Sequence, residues 1–237
     1  MILLGQHIPS VYLEHIRAWE HEIILLPPHP HLPPPVASHP DMLLFPADQS
    51  LITDRTYYTE IAHKELGLIC QHSGLTLHLT DELLASDYPN DIRFNSLHIG
   101  KFLFCHPSHT SSAIRNWATH TNHVIIPTKQ GYSRCSACPV GDGALITADP
   151  SIAAKAKENG LDVCIIRQGH ILLPGYSYGF IGGCCGSYQE HLFFCGDLKL
   201  HPDGDRIISF VKSHGRIPQT IPKLPLLDVG SMFFIPD

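Results

Sequence analysis

The sequence predicts an α/β protein in which one structural unit is repeated five times about a common axis. The first observation is a motif, an acidic or cysteine-bearing segment followed by a turn and an apolar strand, that returns about every 45 to 50 residues. The second is that each complete copy continues with a helical stretch and another apolar strand. A repeat of this length indicates one supersecondary unit that is used several times. Anchored on Asp41, Asp91, Cys135, Gly182 and Asp228, the copies are 50, 44, 47 and 46 residues apart.

The third copy shows the order of elements within the unit. Its hairpin occupies residues 135–149, and Asp149 followed by Pro150 is typical of a helix N-terminus. Residues 151–159 are predicted to be helical, Gly160 ends that helix, and residues 163–166 form a buried strand. The repeated unit is therefore a β-hairpin, a helix and a strand.

The third observation concerns the two ends of the chain. The fifth copy stops before its helix and last strand, and the N-terminus supplies both: Ser10 can cap a helix over residues 11–19, and residues 22–26 can form the strand. We therefore expect a five-bladed α/β propeller in which the chain ends share one blade, an arrangement that removes exposed sheet edges. The single domain, 1–237, divides into units near residues 39–87, 88–131, 132–178, 179–224, and 225–237 completed by 1–26.

The composition argues against two classes of partner. No apolar run approaches the roughly 18 residues that cross a bilayer, and residues 1–4 are too short for the apolar part of a secretory signal. The formal net charge is −6, with 16 Lys and Arg residues spread thinly, which argues against a nucleic-acid surface. Eight cysteines without an export signal indicate reduced thiols. We expect a cytoplasmic protein.

Polar residues recur on the predicted first strand of each hairpin, where they would converge on the axis. Buried carboxylates are costly unless they are paired or hydrogen-bonded, so their repetition needs an explanation. One interpretation is structural, with the carboxylates accepting hydrogen bonds from backbone amides. The other is that they receive a cationic or amide-bearing ligand. The residues concerned are Asp41, Asp91, Asn95, Cys135, Cys138, Cys184, Cys185, Asp228 and Ser231.

The cysteines in this group allow three kinds of chemistry. Cys135 and Cys138 have CxxC spacing and could form a redox pair or share a metal, and Arg134 and Lys129 nearby would lower their pKa. Adjacent cysteines on a strand point to opposite faces, so only one of Cys184 and Cys185 can join them. Three thiols with His98 or His201 as the fourth ligand would make a zinc site. A nucleophilic cysteine and a purely structural role remain the alternatives.

Two junctions between units add further candidates. Residues 129–132 connect the second and third units and could bring Gln130 or Tyr132 to the mouth of the channel. Residues 201–205 lead into a predicted helix over 206–213, and His201 there could act as an acid or base.

The units resemble the pentein fold of guanidino-group-modifying enzymes, which include arginine deiminases, dimethylarginine hydrolases and amidinotransferases. Residues 39–45 (HPDMLLF) with strand 50–53 resemble the first hairpin of that family, whose acidic residue contacts the substrate. Residues 90–95 (NDIRFN) with 100–104 resemble its second hairpin, where a Gly-Gly-Asp segment contacts the guanidinium. The resemblance implies ligand contacts by Asp41 and Asp91. With residues 130–136 and 180–183, the chain also looks like an uncharacterised bacterial domain family of this fold.

The chain departs from the family at the residues that carry catalysis. Those enzymes use a cysteine on the last hairpin, where this chain has residues 230–234 (GSMFF). They also use a histidine on the first strand of the fourth unit, where this chain has Gly183, Cys184 and Cys185. The family nucleophile and base are therefore not carried over, and ordinary arginine deiminase activity is not expected.

Three hypotheses follow for the function. The first is a thiol-dependent hydrolase or transferase acting on a guanidino, amidino or amide compound, with its nucleophile among Cys135, Cys138, Cys184 and Cys185. The second is a binding protein for a small polar molecule, and the third is a thiol site that binds zinc or is redox-active. The first is favoured because carboxylates and thiols are predicted to share one cavity. No cofactor other than zinc is implied, and the sequence leaves open whether the chain forms homo-oligomers.

Overall fold

The computed structural model describes residues 1–236 and is a mixed α/β structure with five three-stranded sheets. In four of the sheets an antiparallel hairpin is followed by a helix, and a third strand then pairs in parallel with the second hairpin strand. This is the unit that the repeat predicts. Asp237, the last residue of the predicted fifth unit, lies outside the described residues.

The elements follow one another in the order of the repeat. The N-terminal piece contains β1 (Ile2–Gly5), α1 (Ser10–Arg17) and β2 (Ile23–Leu26), and a short 3-10 turn (Pro34–Val36) follows. The first unit contains α2 (Pro40–Leu43), β3 (Leu44–Ala47), β4 (Ser50–Asp54), a π-helical turn (Tyr57–Ile61), α3 (His63–Ser73) and β5 (Thr76–Thr80). The second contains β6 (Leu97–Ile99), β7 (Phe102–Cys105), α4 (Ser112–His120) and β8 (Val124–Pro127).

The third and fourth units repeat this order. The third contains α5 (Ser133–Ser136), β9 (Ala137–Val140), β10 (Ala144–Thr147), α6 (Pro150–Glu158) and β11 (Asp162–Ile165). The fourth contains β12 (Cys185–Tyr188), β13 (His191–Phe194), a 3-10 turn (Leu198–Leu200), α7 (Gly204–Ser213) and β14 (Ile217–Thr220). The last strand, β15 (Phe233–Phe234), pairs antiparallel with β1, which pairs in parallel with β2. The two ends of the chain therefore meet in one sheet.

Local chemistry explains why these residues form these elements. At the start of α6 the Asp149 carboxylate accepts hydrogen bonds from the amides of Ser151 (2.8 Å) and Ile152 (2.9 Å), so it caps the helix. Gly160, at φ +80°, follows the end of that helix. The middle strand of each hairpin unit is apolar and almost completely buried, as expected for strands covered on both faces.

The polar residues of the repeat lie just before the first hairpin strands, and the sequence-based expectation that most of them lie on those strands is wrong. Asp41 is in α2 and Cys135 in α5, while Asp91 and Asn95 lie in an irregular segment before β6. Their side chains bond to backbone groups and to each other, which competes with the pairing of strands. The paired strand begins one or more residues later.

Hydrogen bonds link these segments to one another in chain order and back to the first. The described bonds join Asn95 Nδ2 to Met42 Sδ (3.4 Å), Arg134 N to Asn95 Oδ1 (2.9 Å), Gly183 N to Cys135 O (3.1 Å), Val229 N to Gly183 O (3.0 Å) and Asp41 N to Gly230 O (3.0 Å). Residues that are far apart in sequence are thereby held around one small region. In residues 1–236, no helix is both long and apolar enough to cross a membrane.

Candidate functional site

The thiol of Cys135 is held between a carboxylate and an amide. Its Sγ donates to Asp41 Oδ2 (3.2 Å) and accepts from Asn95 Nδ2 (3.0 Å). The amide of Asn95 is itself oriented, because its Oδ1 accepts from the backbone N–H groups of Arg134 (2.9 Å) and Cys135 (3.2 Å). Burial is the main cause that raises the pKa of Cys135 well above its ordinary value, and the charges of Asp41 and Asp228 add to it. In the ligand-free protein Cys135 is a thiol.

Asp41 lies behind Cys135 and is completely buried. Its Oδ2 also accepts a hydrogen bond from Ser231 Oγ (2.6 Å), and Ser231 Oγ reaches Gly182 O at 3.1 Å. Within residues 1–236, Asp41 Oδ1 has no hydrogen-bond partner. Burial raises the pKa of Asp41, although the Ser231 hydroxyl opposes that rise. One of the two oxygens of the Asp41 carboxylate therefore accepts no hydrogen bond from the described residues.

Asp228 and His39 form a second acid–base pair close by. Asp228 accepts from the amides of Phe180 (2.9 Å) and Gly230 (3.0 Å), and burial raises its pKa to about 6. His39 Nδ1 lies 3.8 Å from Asp228 Oδ1, and burial lowers the pKa of His39 to about 4. His39 is therefore neutral at neutral pH. Gly183 makes the arrangement possible, since a Cβ at that position would lie 2.0 Å from Asp228 Oδ1.

Cys135, His39 and Asp228 border a cavity of about 290 Å³, which we call the thiol cavity, and Asp41 lies outside its lining. Cys135, His39 and Asp228 supply its polar side, and aromatic rings supply much of the remainder. Tyr176 is half exposed at the entrance. The lining residues are Val36, His39, Met42, Tyr132, Cys135, Leu173, Tyr176, Ser177, Tyr178, Phe180 and Asp228.

Asp91 reaches this cavity only through Tyr132. The Tyr132 hydroxyl donates to Asp91 Oδ2 (2.5 Å), while Asp91 Oδ1 is buried without a partner among the described residues. Burial raises the pKa of Asp91. Gln130 does not line the thiol cavity: its Oε1 accepts from Tyr132 N (3.2 Å) and its Nε2 donates to Asp149 (3.3 Å). Gln130 thus holds the Tyr132 segment and faces a smaller cavity.

The structure does not bring Cys138, Cys184 or Cys185 to the thiol cavity. All three are completely buried, and Arg134 lies near Cys138 and Cys185, with its Nη1 3.9 Å from Cys185 Sγ. Burial opposes ionisation of Cys185, but a hydrogen bond from Cys138 and the charge of Arg134 outweigh it and lower the Cys185 pKa. The pKa of Cys138 is raised, chiefly by burial. The sequence suggests a lowered pKa for Cys135 and Cys138. The pKa that is lowered is instead that of Cys185, because Arg134 contacts the Cys185 thiol.

The structure also keeps His201 away from the thiol cavity. His201 is buried, its Nδ1 accepts from Asp203 N (3.0 Å), and its ring lies 5.4 Å from that of His170. His98, the other proposed metal ligand, is hydrogen-bonded to His123 at 2.9 Å. Residues 1–236 contain no group of three or more His, Cys, Asp or Glu side chains arranged to hold a metal ion.

The sequence did not reveal His39, and it placed Ser231 among the polar residues that converge on the axis without assigning it a function there. The only signal for His39 is its position next to Pro40 and Asp41 in the first copy of the repeat. Ser231 stands three residues after Asp228, and its φ of +69° is unusual for a residue other than glycine. That conformation accompanies the turn in which the Ser231 hydroxyl reaches Asp41.

Comparison with known proteins places the chain in a family and shows its fold. The model of a family of unknown function, DUF6873, matches residues 3–233. No curated protein matches. A dimethylarginine dimethylaminohydrolase structure, solved as an adduct with 4-chloro-2-hydroxymethylpyridine, superposes with a TM-score of 0.57 at 11% identity, covering 90% of this chain and 81% of that one.

Two further structures have the same fold. A mutant of the dimethylarginine dimethylaminohydrolase DDAH from Pseudomonas aeruginosa, complexed with citrulline, gives a TM-score of 0.53 at 12% identity over 89% of this chain and 79% of that chain. SxtG, an amidinotransferase from Microseira wollei in the saxitoxin biosynthetic pathway, gives a TM-score of 0.54 at 12% identity, covering 93% of this chain and 78% of that chain. Identities this low show the fold and not the reaction. The resemblance to pentein-fold enzymes is thereby confirmed.

Proposed function

The chain belongs to the DUF6873 family, and we propose that it is a pentein-type enzyme that hydrolyses a small guanidino or amidino compound, with Cys135 as the nucleophile. The observation that carries the proposal is the position of this one thiol. Among residues 1–236, which include all eight cysteines, Cys135 alone lines the thiol cavity, where Asp228 and His39 also lie.

The charges around the cavity favour a cationic ligand. Asp41 and Asp228 are buried, and each is more costly to ionise than an exposed carboxylate. Their side-chain neighbours Ser231, Cys135 and the neutral His39 carry no positive charge, and the charge of Arg134 opposes the rise of both pKa values without abolishing it. A planar cation would stabilise the ionised carboxylates, and the aromatic rings of Tyr132, Tyr176 and Phe180 can lie against its face.

The same cation would activate the thiol. Without a ligand, the neighbouring carboxylates oppose ionisation of Cys135. A positive charge in the cavity reverses that effect, so the thiol proton can pass to Asp41 Oδ2, which already accepts its hydrogen bond at 3.2 Å. Activation would therefore require the substrate.

The chemistry then balances in two steps. Cys135 Sγ bonds to the central carbon of the guanidinium or amidinium, a C–N bond breaks, and the leaving amine takes the proton held by Asp41. The product of this step is a cationic S-amidino or S-imidoyl cysteine. Water then attacks the same carbon with His39 accepting a proton, the C–S bond breaks, and the thiol is restored. One water is consumed, the amine leaves as its ammonium ion, and the carbon leaves as a urea or amide.

This proposal includes the finer architecture, a closed five-bladed propeller. The support is the hydrogen bonds that join the segments before the four hairpins and before β15 in chain order and back to the first, together with the pairing of β1 with β15. Closure would explain how residues 190 positions apart, Asp41 and Ser231, form one bond.

Turnover and trapping of the intermediate test the function. The protein is incubated with methylguanidine or acetamidine, released ammonia or amine is quantified, and acid-quenched samples are weighed by intact mass spectrometry. We expect turnover and a covalent adduct on the native chain, neither with Cys135→Ala, and both with Cys70→Ala, whose half-exposed thiol is the matched control. An adduct on another cysteine, or turnover by Cys135→Ala, would remove Cys135 from the role.

A second candidate is binding without chemistry, and one observation favours it. The raised pKa of Cys135 and its two hydrogen bonds describe a thiol that is held as a structural group. In that case the same compounds would raise the melting temperature of the native chain and of Cys135→Ala equally, and no product would form.

A further inference from the structure

A second cavity is lined by residues from all five sheets, among them Pro46, His98, Pro139, Ser187 and Phe233. In the first unit the chain runs from one cavity to the other, so that Met42 in α2 borders the thiol cavity and Pro46 in β3 borders the second cavity. The third unit shows the same division, with Cys135 at one end and Pro139 at the other. The second cavity has a volume of about 400 Å³, within the range of small-molecule sites. We call it the arginine cavity.

Two guanidinium groups, those of Arg134 and Arg216, line the arginine cavity, and no carboxylate among residues 1–236 forms an ion pair with either. Arg134 donates to the carbonyl oxygens of Gly182 (3.0 Å) and Cys185 (3.4 Å), and Arg216 donates to the carbonyl oxygen of Gln189. Within residues 1–236, Arg55, Arg167 and Arg206 by contrast have ion-pair partners. Carbonyl oxygens orient a guanidinium without cancelling its charge, so Arg216 keeps its full charge, whereas Arg134 also contacts the Cys185 thiol, whose pKa it lowers.

The positions of both groups are fixed. Arg134 lies over the Phe233 ring, 5.7 Å from its centroid, and is half-buried beneath the strands. Arg216 packs on the β9–β10 turn, where a Cβ on Gly141 would lie 3.0 Å from Arg216 Nη2. Gly141 has φ +64°, so both its conformation and the close approach of the guanidinium favour glycine there.

The remainder of the lining is largely apolar and aromatic, including Phe45, Phe94, Phe233 and Phe234. Asp142 at the rim is the one carboxylate among the described lining residues. Burial and the charge of His123 lower the pKa of His98, so this histidine adds no charge at neutral pH. The lining of the cavity therefore carries a net positive charge above apolar walls. Guanidinium forks match carboxylate and phosphate groups.

We propose that the arginine cavity binds a small organic anion, with an oxyanion head on Arg134 and Arg216 and an apolar or aromatic body against the phenylalanine rings. This site is separate from the thiol cavity and does not depend on the function proposed above. The shared chemistry of the ligand is the oxyanion on an apolar body, whether the head is a carboxylate or a phosphate ester.

Calorimetric titration of the full chain with benzoate, phenyl phosphate, inorganic phosphate and benzamide tests the proposal. We expect saturable binding of benzoate or phenyl phosphate, at least about tenfold tighter than binding of benzamide, which lacks the charge. Because Arg134 bonds within the core, the informative variant is Arg216→Gln. The matched control is Arg115→Gln, since Arg115 also donates to a carbonyl oxygen, that of Pro107, but lies outside the cavity.

Arg216→Gln should weaken the tighter of the two organic anions at least about fivefold, while Arg115→Gln and Cys135→Ala leave it unchanged. Equal effects of the two arginine substitutions would overturn the assignment to this cavity. Benzamide binding as tightly as benzoate would overturn the role of charge, and inorganic phosphate binding as tightly as phenyl phosphate would overturn the role of the apolar walls. Absence of saturable binding by both organic anions would overturn the site itself.

Discussion

The raised pKa of Asp228 predicts a loss of folding stability as the pH rises. The carboxyl is buried, accepts two backbone N–H bonds and has a pKa of about 6, against a usual value of 3.8. Between these values the folded protein holds a proton that the unfolded chain releases, so stability decreases with increasing pH. The difference between the two values corresponds to about 3 kcal/mol, fully present below pH 3.8 and lost as the pH rises through about 6.

The perturbation that isolates this effect is Asp228→Asn. An asparagine has one acceptor oxygen, so one of the amides of Phe180 and Gly230 loses its partner at a cost of about 1–3 kcal/mol that does not vary with pH. The pH-dependent part of the difference in stability between the native chain and Asp228→Asn therefore appears as a slope against pH. Asp41 is present in both proteins, and the charge of Asp228 raises its pKa in the native chain. Ionisation of Asp41 therefore also makes the stability of the native chain decrease more with increasing pH than that of Asp228→Asn.

Urea unfolding of both proteins from pH 4 to pH 8 measures this slope. The stability of the native chain minus that of Asp228→Asn should decrease by most of the ~3 kcal/mol across this range. A difference that stays flat, or that increases with pH, would show that Asp228 ionises at little cost, and the argument for an unsatisfied anionic cavity would fail.

Three further substitutions test the packing that supports the site. Ser231→Ala removes the hydroxyl that donates to Asp41 Oδ2 and should lower the free energy of unfolding by about 1–3 kcal/mol in urea at pH 7. Ser213→Ala removes an exposed hydroxyl and should lower it little. Equal losses of stability would contradict the role of the buried hydrogen bond. Gly183→Ala would place a methyl group 2.0 Å from Asp228 Oδ1 and should destabilise by about 3 kcal/mol, while Gly143→Ala, with no atom within 4 Å, should change stability by less than about 0.5 kcal/mol. Asp149→Ala should cost about 1 kcal/mol by removing the cap of α6, and an unchanged melting temperature would count against that cap.

The repeat could be predicted from the sequence because the signals that define it are local. Asp149 and Pro150 mark the start of α6, which begins at Pro150 where residues 151–159 were expected. The apolar stretch at residues 22–26 becomes β2, and its partner β1 pairs with β15 at the other end of the chain. Helix caps and continuous apolar strands depend on neighbours in sequence, which a single chain displays.

The composition of the site could be predicted only in part, because it depends on which side chains meet across units. Asp41, Asn95, Cys135 and Asp228 do converge, but the CxxC spacing misleads: Cys135 faces the thiol cavity and Cys138 faces the buried cluster beside Arg134. Asp41 and Ser231 are 190 residues apart, and no local pattern pairs them. His201 has a suitable residue type but lies on a turn directed elsewhere.

Alkylation by a charged and an uncharged reagent of the same shape tests whether a cation in the thiol cavity activates Cys135. The native chain is treated with chloroacetamidine or chloroacetamide, and the modified cysteines are quantified by peptide mapping. The half-exposed Cys70 supplies the intrinsic ratio of the two reagents. We expect this ratio to be at least about tenfold higher at Cys135, because the carboxylates of Asp41 and Asp228 attract the cation that the thiol needs for ionisation. The same ratio at Cys70 and Cys135, or no modification of Cys135, would contradict this expectation.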